Sequence, residues 1–196
     1  LQFPSVRKIG TQFDLRFGAW GFESMMADIY ETKIFGGRFY LMPFGGFFDK
    51  FAIGLSYITD IRTSPDLNNY ASVFGTGIDV ELPLPDLGIL TWKLFADYAM
   101  LGYKTTGTVA GKTDKGVAMD GGYGITYGLK GKLLFFNYQL AFRNLKDGFI
   151  PEYFDSYYDV TRKEKAEELV SGTRSDFNGW LFELGADFGT VGFVKL

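Results

Sequence analysis

Apolar and polar residues alternate with a period of two along most of this chain, and the longest such run lies between Val117 and Leu145. In its first half Val117, Met119, Tyr123, Ile125, Tyr127 and Leu129 share one face, and Asp120, Gly122, Gly124, Thr126 and Gly128 share the other. In its second half Leu134, Phe136, Tyr138, Leu140 and Phe142 oppose Asn137, Gln139 and Arg143. Strict alternation is the signature of a strand with two different surroundings. Lys130-Gly131-Lys132 between the halves reads as a tight turn. Each arm exceeds the ordinary strand of about 5–6 residues and suits one tilted across a bilayer, which needs roughly 9–11.

The same rhythm marks six further arms. They run at about Ile9–Phe22, Ile34–Met42, Phe51–Asp60, Tyr70–Leu82, Ile89–Tyr103 and Asp176–Phe188. Phe13, Leu15, Phe17 and Ala19 would form the apolar face of the first. The Glu23–Lys33 connection after it has room for a helical turn. Pro and Gly break the pattern at Pro43-Phe44-Gly45-Gly46, at Pro83 to Gly88 and at Gly189-Thr190-Val191-Gly192. These short breaks alternate with longer connections near Ser24, Pro65, Gly111 and Glu164. Short turns at one rim and long loops at the other imply an up-and-down antiparallel barrel of about eight strands, in one domain over residues 1–196.

The longest connection, residues 146–175, is the exception to strand rhythm. Pro151-Glu152-Tyr153-Phe154-Asp155 offers a helix start with acidic residues at the favourable end. Arg162 to Leu169 are strong helix formers, and Gly172 supplies a stop. A helix is therefore expected at about 152–170, with an aromatic stripe in its first half. Its two readings are a solvated surface helix and a plug whose aromatic end fills the space over Gly54, Gly75, Gly77, Gly122 and Gly124.

Which face points inward follows from size. The chain carries 21 Phe, 12 Tyr and 26 Gly. The large residues crowd the apolar face and the glycines crowd the polar one. The interior of an eight-stranded barrel is only wide enough for side chains to fill it, so the glycine-rich face belongs inside. The aromatic face then points outward, where in water it would form a very large apolar patch. Lipid removes that difficulty, and Tyr57, Tyr70, Trp92, Tyr103 and Trp180 fall toward arm ends, where interfacial girdles form. The alternative is a soluble lipocalin-like barrel enclosing an apolar ligand.

On this pattern, which covers almost the whole chain but includes no family-specific motif, the sequence resembles the bacterial outer-membrane β-barrel superfamily. The resemblance implies an all-β transmembrane barrel in the outer membrane, in contact with lipid. It further implies a solute-passage pore or a membrane-embedded structural scaffold, with long loops available to other envelope proteins. One departure stands out. Such chains often end on a strand with a terminal Phe, whereas this one ends Val194-Lys195-Leu196 just after a turn, which also suits part of a larger barrel. The lack of an initial Met and of a signal peptide reads as a mature or trimmed chain.

Charge and composition narrow the chemistry. Net charge is −3, so there is no electrostatic footprint for nucleic acid. Cysteine is absent, so neither a disulfide framework nor a thiolate metal site is expected. Histidine is absent too, which removes the usual general base and the commonest transition-metal ligand. No enzyme activity, metal or cofactor is expected. The expected lumen lining is Asp14, Arg16, Arg38, Lys93, Asp97, Asp120, Arg143 and Glu183, with Asp79, Glu81, Lys130 and Asp187 on the same polar face. In a narrow barrel these charges would pair as filling; in a wider one they would line a selective pathway. Direct closure of the last arm on the first would bring Glu183 toward Arg16 and Arg38.

Overall fold

The computed structural model describes residues 10–30, 33–44, 50–66, 68–155, 157–187 and 193–195. Most of them belong to one antiparallel sheet. Its strands are β1 (Thr11–Phe17), β2 (Trp20–Met26), β3 (Ile34–Leu41), β4 (Ala52–Asp60), β5 (Tyr70–Pro83) and β6 (Leu90–Thr106). After a two-stranded ribbon, β7 (Thr108–Val109) and β8 (Lys112–Thr113), it continues through β9 (Tyr123–Leu133) and β10 (Phe136–Lys146). One helix, α1 (Tyr158–Ser171), precedes β11 (Phe177–Asp187), and a short β12 (Phe193–Lys195) pairs with β11. Spatial order follows chain order throughout.

The expected faces hold along the strands, but two turns move and the arm expected from Val117 is strand only from Tyr123. The first expected arm is a hairpin: β1 and β2 pair with Phe17 opposite Trp20, leaving Gly18 and Ala19 as a two-residue turn. Gly18 takes φ +57°, a left-handed conformation that glycine adopts without Cβ strain. Phe17 and Trp20 stack across it at 4.8 Å. Glu23–Met26 are therefore strand, not a connection with a helical turn. The long hairpin turns at Leu134-Phe135, with Leu134 at φ +55°, rather than at Lys130-Gly131-Lys132, which lie within β9. Both corrections have one cause. A two-residue turn switches the apolar set from odd to even numbers, as it does from Phe17 to Trp20 and from Leu133 to Phe136. Of the expected turns, residues 45, 46 and 189–192 lie outside the described residues.

Strand count and closure also differ from the eight-strand expectation. Nine strands and the short β12 form the main sheet, and no closed barrel is present among the described residues. There β1 pairs only with β2, and β11 lies at the other side of the sheet, so the last expected arm does not close on the first. The extra hairpin at Gly18 explains why: β11 runs in the same direction as β1, so antiparallel closure between them is geometrically barred.

The helix also begins later than expected, at Tyr158 instead of about residue 152. Pro151–Phe154 form a turn, with Glu152 at φ +53°. The stop is where the sequence places it: Gly172 is left-handed at φ +66°, and its N–H donates to the Glu168 carbonyl.

If Gly18 closes the first hairpin as described, Gly18→Val will destabilise the fold by about 1 kcal/mol through its left-handed backbone. Gly88→Val, at φ +80° in an exposed turn with open space around it, will cost a similar amount. Urea titration of the folded protein reads both.

Candidate functional site: a charged sheet face and its helical cover

Cross-strand register sorts side chains into two faces, because directly opposed residues point the same way. One face carries Phe13, Leu15 and Phe17 of β1, and on successive strands Phe22, Phe39, Leu55, Ile78, Leu94, Tyr127, Leu140 and Phe182. These side chains are exposed, from Leu15 at 37% to Phe182 at 65%, and Trp180 on the same face reaches 72%. The opposite face carries the charges.

A belt of ion pairs crosses that charged face. Arg38 on β3 donates from Nε and Nη2 to Asp79 on β5, at 3.1 and 2.6 Å, and lies 3.7 Å from Glu23 on β2. Between β3 and β5 runs β4, and at the crossing it has Gly54. A Cβ there would come within 2.8 Å of the Arg38 guanidinium and closer still to the Asp79 carboxylate. The glycine is thus a saddle over which a charge pair bridges two strands. Further along, Glu81 accepts from Lys93 at 2.7 Å and from Lys130 at 2.6 Å, and Lys130 also lies 4.7 Å over the Phe95 ring. Part-buried charges survive here because each has a partner.

Toward the long-loop rim the same face becomes a core. Ile34, Ala71, Val73, Leu101 and Tyr103 are buried there against Ile150, Tyr153, Tyr158, Ala166, Leu169 and Val170 of the longest connection. Phe149 lies 2.8 Å from where a Gly124 Cβ would be, and Phe154 lies 3.6 Å from the same point at Gly75. Of the five glycines expected to make room for the aromatic end of the helix, only Gly75 meets a ring of that stripe, Phe154, while Gly124 takes Phe149, which precedes the expected helix. Gly54 and Gly77 instead admit Arg38–Asp79 and the Ser56 side chain, and Gly122 serves a turn at φ +77°. A cavity of about 180 Å³ is left beneath the cover, between Ser56, Gly77 and Ala99 on the sheet and Phe149, Glu152 and Phe154 above.

One buried charge latches the cover down. Asp60 at the end of β4 is completely buried, and Arg162 of α1 grips it from Nε at 3.1 Å and Nη2 at 2.7 Å. The Tyr158 hydroxyl donates to the same carboxylate at 3.0 Å. Burial pushes the Tyr158 and Tyr153 hydroxyls well above the usual phenol range, so Tyr158 stays a donor. Lys165 braces the preceding turn by donating to the Tyr153 carbonyl and pairing with Asp155, each at 2.8 Å.

The expected lining residues are not gathered at one point. Arg38 and Lys93 lie in the belt, and Asp97 on β6 stands directly opposite Asp79 and beside Thr126. Arg143 on β10 lies 3.8 Å from Glu152 of the cover. Glu183 on β11 opposes Gln139 and lines a second cavity of about 380 Å³ with Lys93 and Lys130, remote in sheet order from Arg16 and Arg38. Asp14 and Arg16 sit exposed on the edge strand β1. Asp120 falls in a turn before β9, off the strands, and pairs with Lys115. Sequence reasoning missed Glu23, Asp60 and Arg162 as working charges; the odd-to-even switch after Phe17 would have placed Glu23 on the charged face. Among the described residues no group of three or more acidic side chains is arranged to hold a metal ion.

Two outcomes follow. Arg162→Met leaves the buried Asp60 carboxylate without its cation, and will cost about 3–5 kcal/mol of local stability, read as faster amide exchange across α1. Acid will loosen the cover as well. The Lys165 ammonium holds the Asp155 carboxyl below its usual range, so this contribution is present at neutral pH and is lost as pH falls through that lowered value, below about pH 4. Amide exchange across α1, followed at successive pH values from neutral into acid and corrected for the intrinsic pH dependence of exchange, reads the opening; Asp155→Asn will remove that part of the acid dependence.

Comparison with family models, with curated proteins and with solved structures finds no match to this chain.

Proposed function

We propose that the sheet is the wall of a transmembrane β-barrel of a bacterial outer membrane, and that its charged face lines a solute pathway covered at one rim by the α1 segment. The observation that carries this reading is the apolar face, uncovered from β1 to β11 while the chain's own helix packs on the opposite, charged face. A lipocalin-like barrel would turn the aromatic face inward and leave the ion-pair belt outside. Here the small residues, the cover and both cavities lie on the charged side. Lipid is the surrounding that satisfies such a face without a further protein layer.

Length and direction support the same reading. β9, β10 and β11 each have 11 residues, near the roughly 9–11 of a tilted spanning strand. β1 and β2, at 7 residues, are shorter. Hydrocarbon leaves no water for the free edge of β1, so a spanning form must close it. In this up-and-down order β12 runs opposite to β1, so an antiparallel seam between them is permitted. The long-loop rim, with α1, then offers a surface to other envelope proteins.

A second reading has its own support: the ion-pair belt and packed cover also suit a filled barrel that serves as a scaffold. Conductance across a planar lipid bilayer separates the two. The pore reading expects channels that grow several-fold in conductance when residues 152–171 are replaced by a short Gly/Ser linker. A folded, inserted protein that is silent at every voltage with and without the cover refutes the pore.

A further inference from the structure

We infer that Asp97 sets the charge selectivity of this pathway and makes it prefer cations; the inference rests on the pore reading above. Around Asp97 every other belt charge is committed. Glu23 and Asp79 share Arg38, and Lys93 and Lys130 share Glu81. The first group carries one excess negative charge and the second one excess positive charge, so together they cancel. Arg143, two strands from Asp97 in the same cross-strand row, is turned to Glu152 of the cover. On the charged face of β2 to β10 Asp97 is the charge left over, exposed and without a hydrogen bond or ion pair among the described residues; Asp14 and Arg16, likewise without one, lie on the edge strand β1 and cancel each other.

Its position gives that charge a role. Asp97 faces Asp79 directly across the β5–β6 pair, an arrangement that like charges disfavour. If the belt were only filling, an amide would serve there at lower cost. Along β6, Ala99 on one side of Asp97 lines the cavity under the cover, and Lys93 on the other side lines the cavity beside Glu183. A carboxylate between two cavities on one face is where a passing ion meets an uncompensated charge. Carboxylates placed along a water-filled path favour cations and exclude anions.

Reversal potentials of the full chain in planar bilayers under a KCl gradient test this. The native protein will pass potassium several-fold more readily than chloride. Asp97→Asn will bring the ratio toward unity and Asp97→Lys will invert it, while Asp120→Asn, off the charged face, leaves it unchanged. Because the chain lacks cysteine, Asp97→Cys gives a second reading in a folded channel: an anionic methanethiosulfonate reagent restores cation preference and a cationic one inverts it. An Asp97→Asn channel with the native reversal potential, or native anion preference, overturns the assignment of Asp97 and leaves the pore standing. Absence of any channel overturns both together.

Discussion

The constraint on which everything else rests is register. Each strand must deliver its apolar residues to one side and its charges to the other, and a slip of one residue would exchange them. The two-residue turns at Gly18-Ala19 and Leu134-Phe135 keep that order by switching which parity is apolar. A continuous aromatic surface and a continuous charged surface follow. Neither is stable by itself. The charged one is held mainly by cross-strand pairs, and the apolar one is exposed, which the proposal above answers with lipid.

Glycine resolves the crowding on the charged face in two different ways. At Gly54 the missing side chain lets Arg38 and Asp79 meet across an intervening strand. At Gly75 and Gly124 it admits the aromatic rings of the cover. The cover is held mainly by burial, with Tyr158, Leu169 and Val170 in the core that Val73 and Tyr103 begin. Asp60 adds specificity, since a completely buried carboxylate tolerates only the one arrangement in which Arg162 and Tyr158 reach it. The result is a face divided between a packed rim and an ion-paired belt, with space left beside each.

Much of this was legible in the chain, because alternation is a local signal. Arms, faces, glycine placement and the helix stop at Gly172 all follow from residues near one another. The two hairpin turns were not legible: Gly18-Ala19 sits inside an alternation that reads as one arm, and Leu134 adopts φ +55° although its identity gives no hint of it. Pairing partners were beyond reach for a different reason. Arg38 finds Asp79 rather than Glu183 because of strand order and the gap at Gly54, and Asp60 finds Arg162 across 102 positions of sequence. Such contacts depend on topology, which one sequence read by period does not determine.

The central claim is that the aromatic face lies against lipid, and all three tryptophans, Trp20, Trp92 and Trp180, are on that face. Their emission in bilayers of lipids brominated along the acyl chains tests it directly. The account predicts strong quenching, with single-tryptophan variants graded by depth. Trp180, the fourth residue of β11 and so further from a strand end than the arm-end girdle position expected of it, will respond most to bromines deeper in the chains, and Trp20, at its hairpin turn, to bromines near the headgroups. Emission insensitive to bromine at every depth, in a protein shown to be folded and bound to the vesicles, would contradict it.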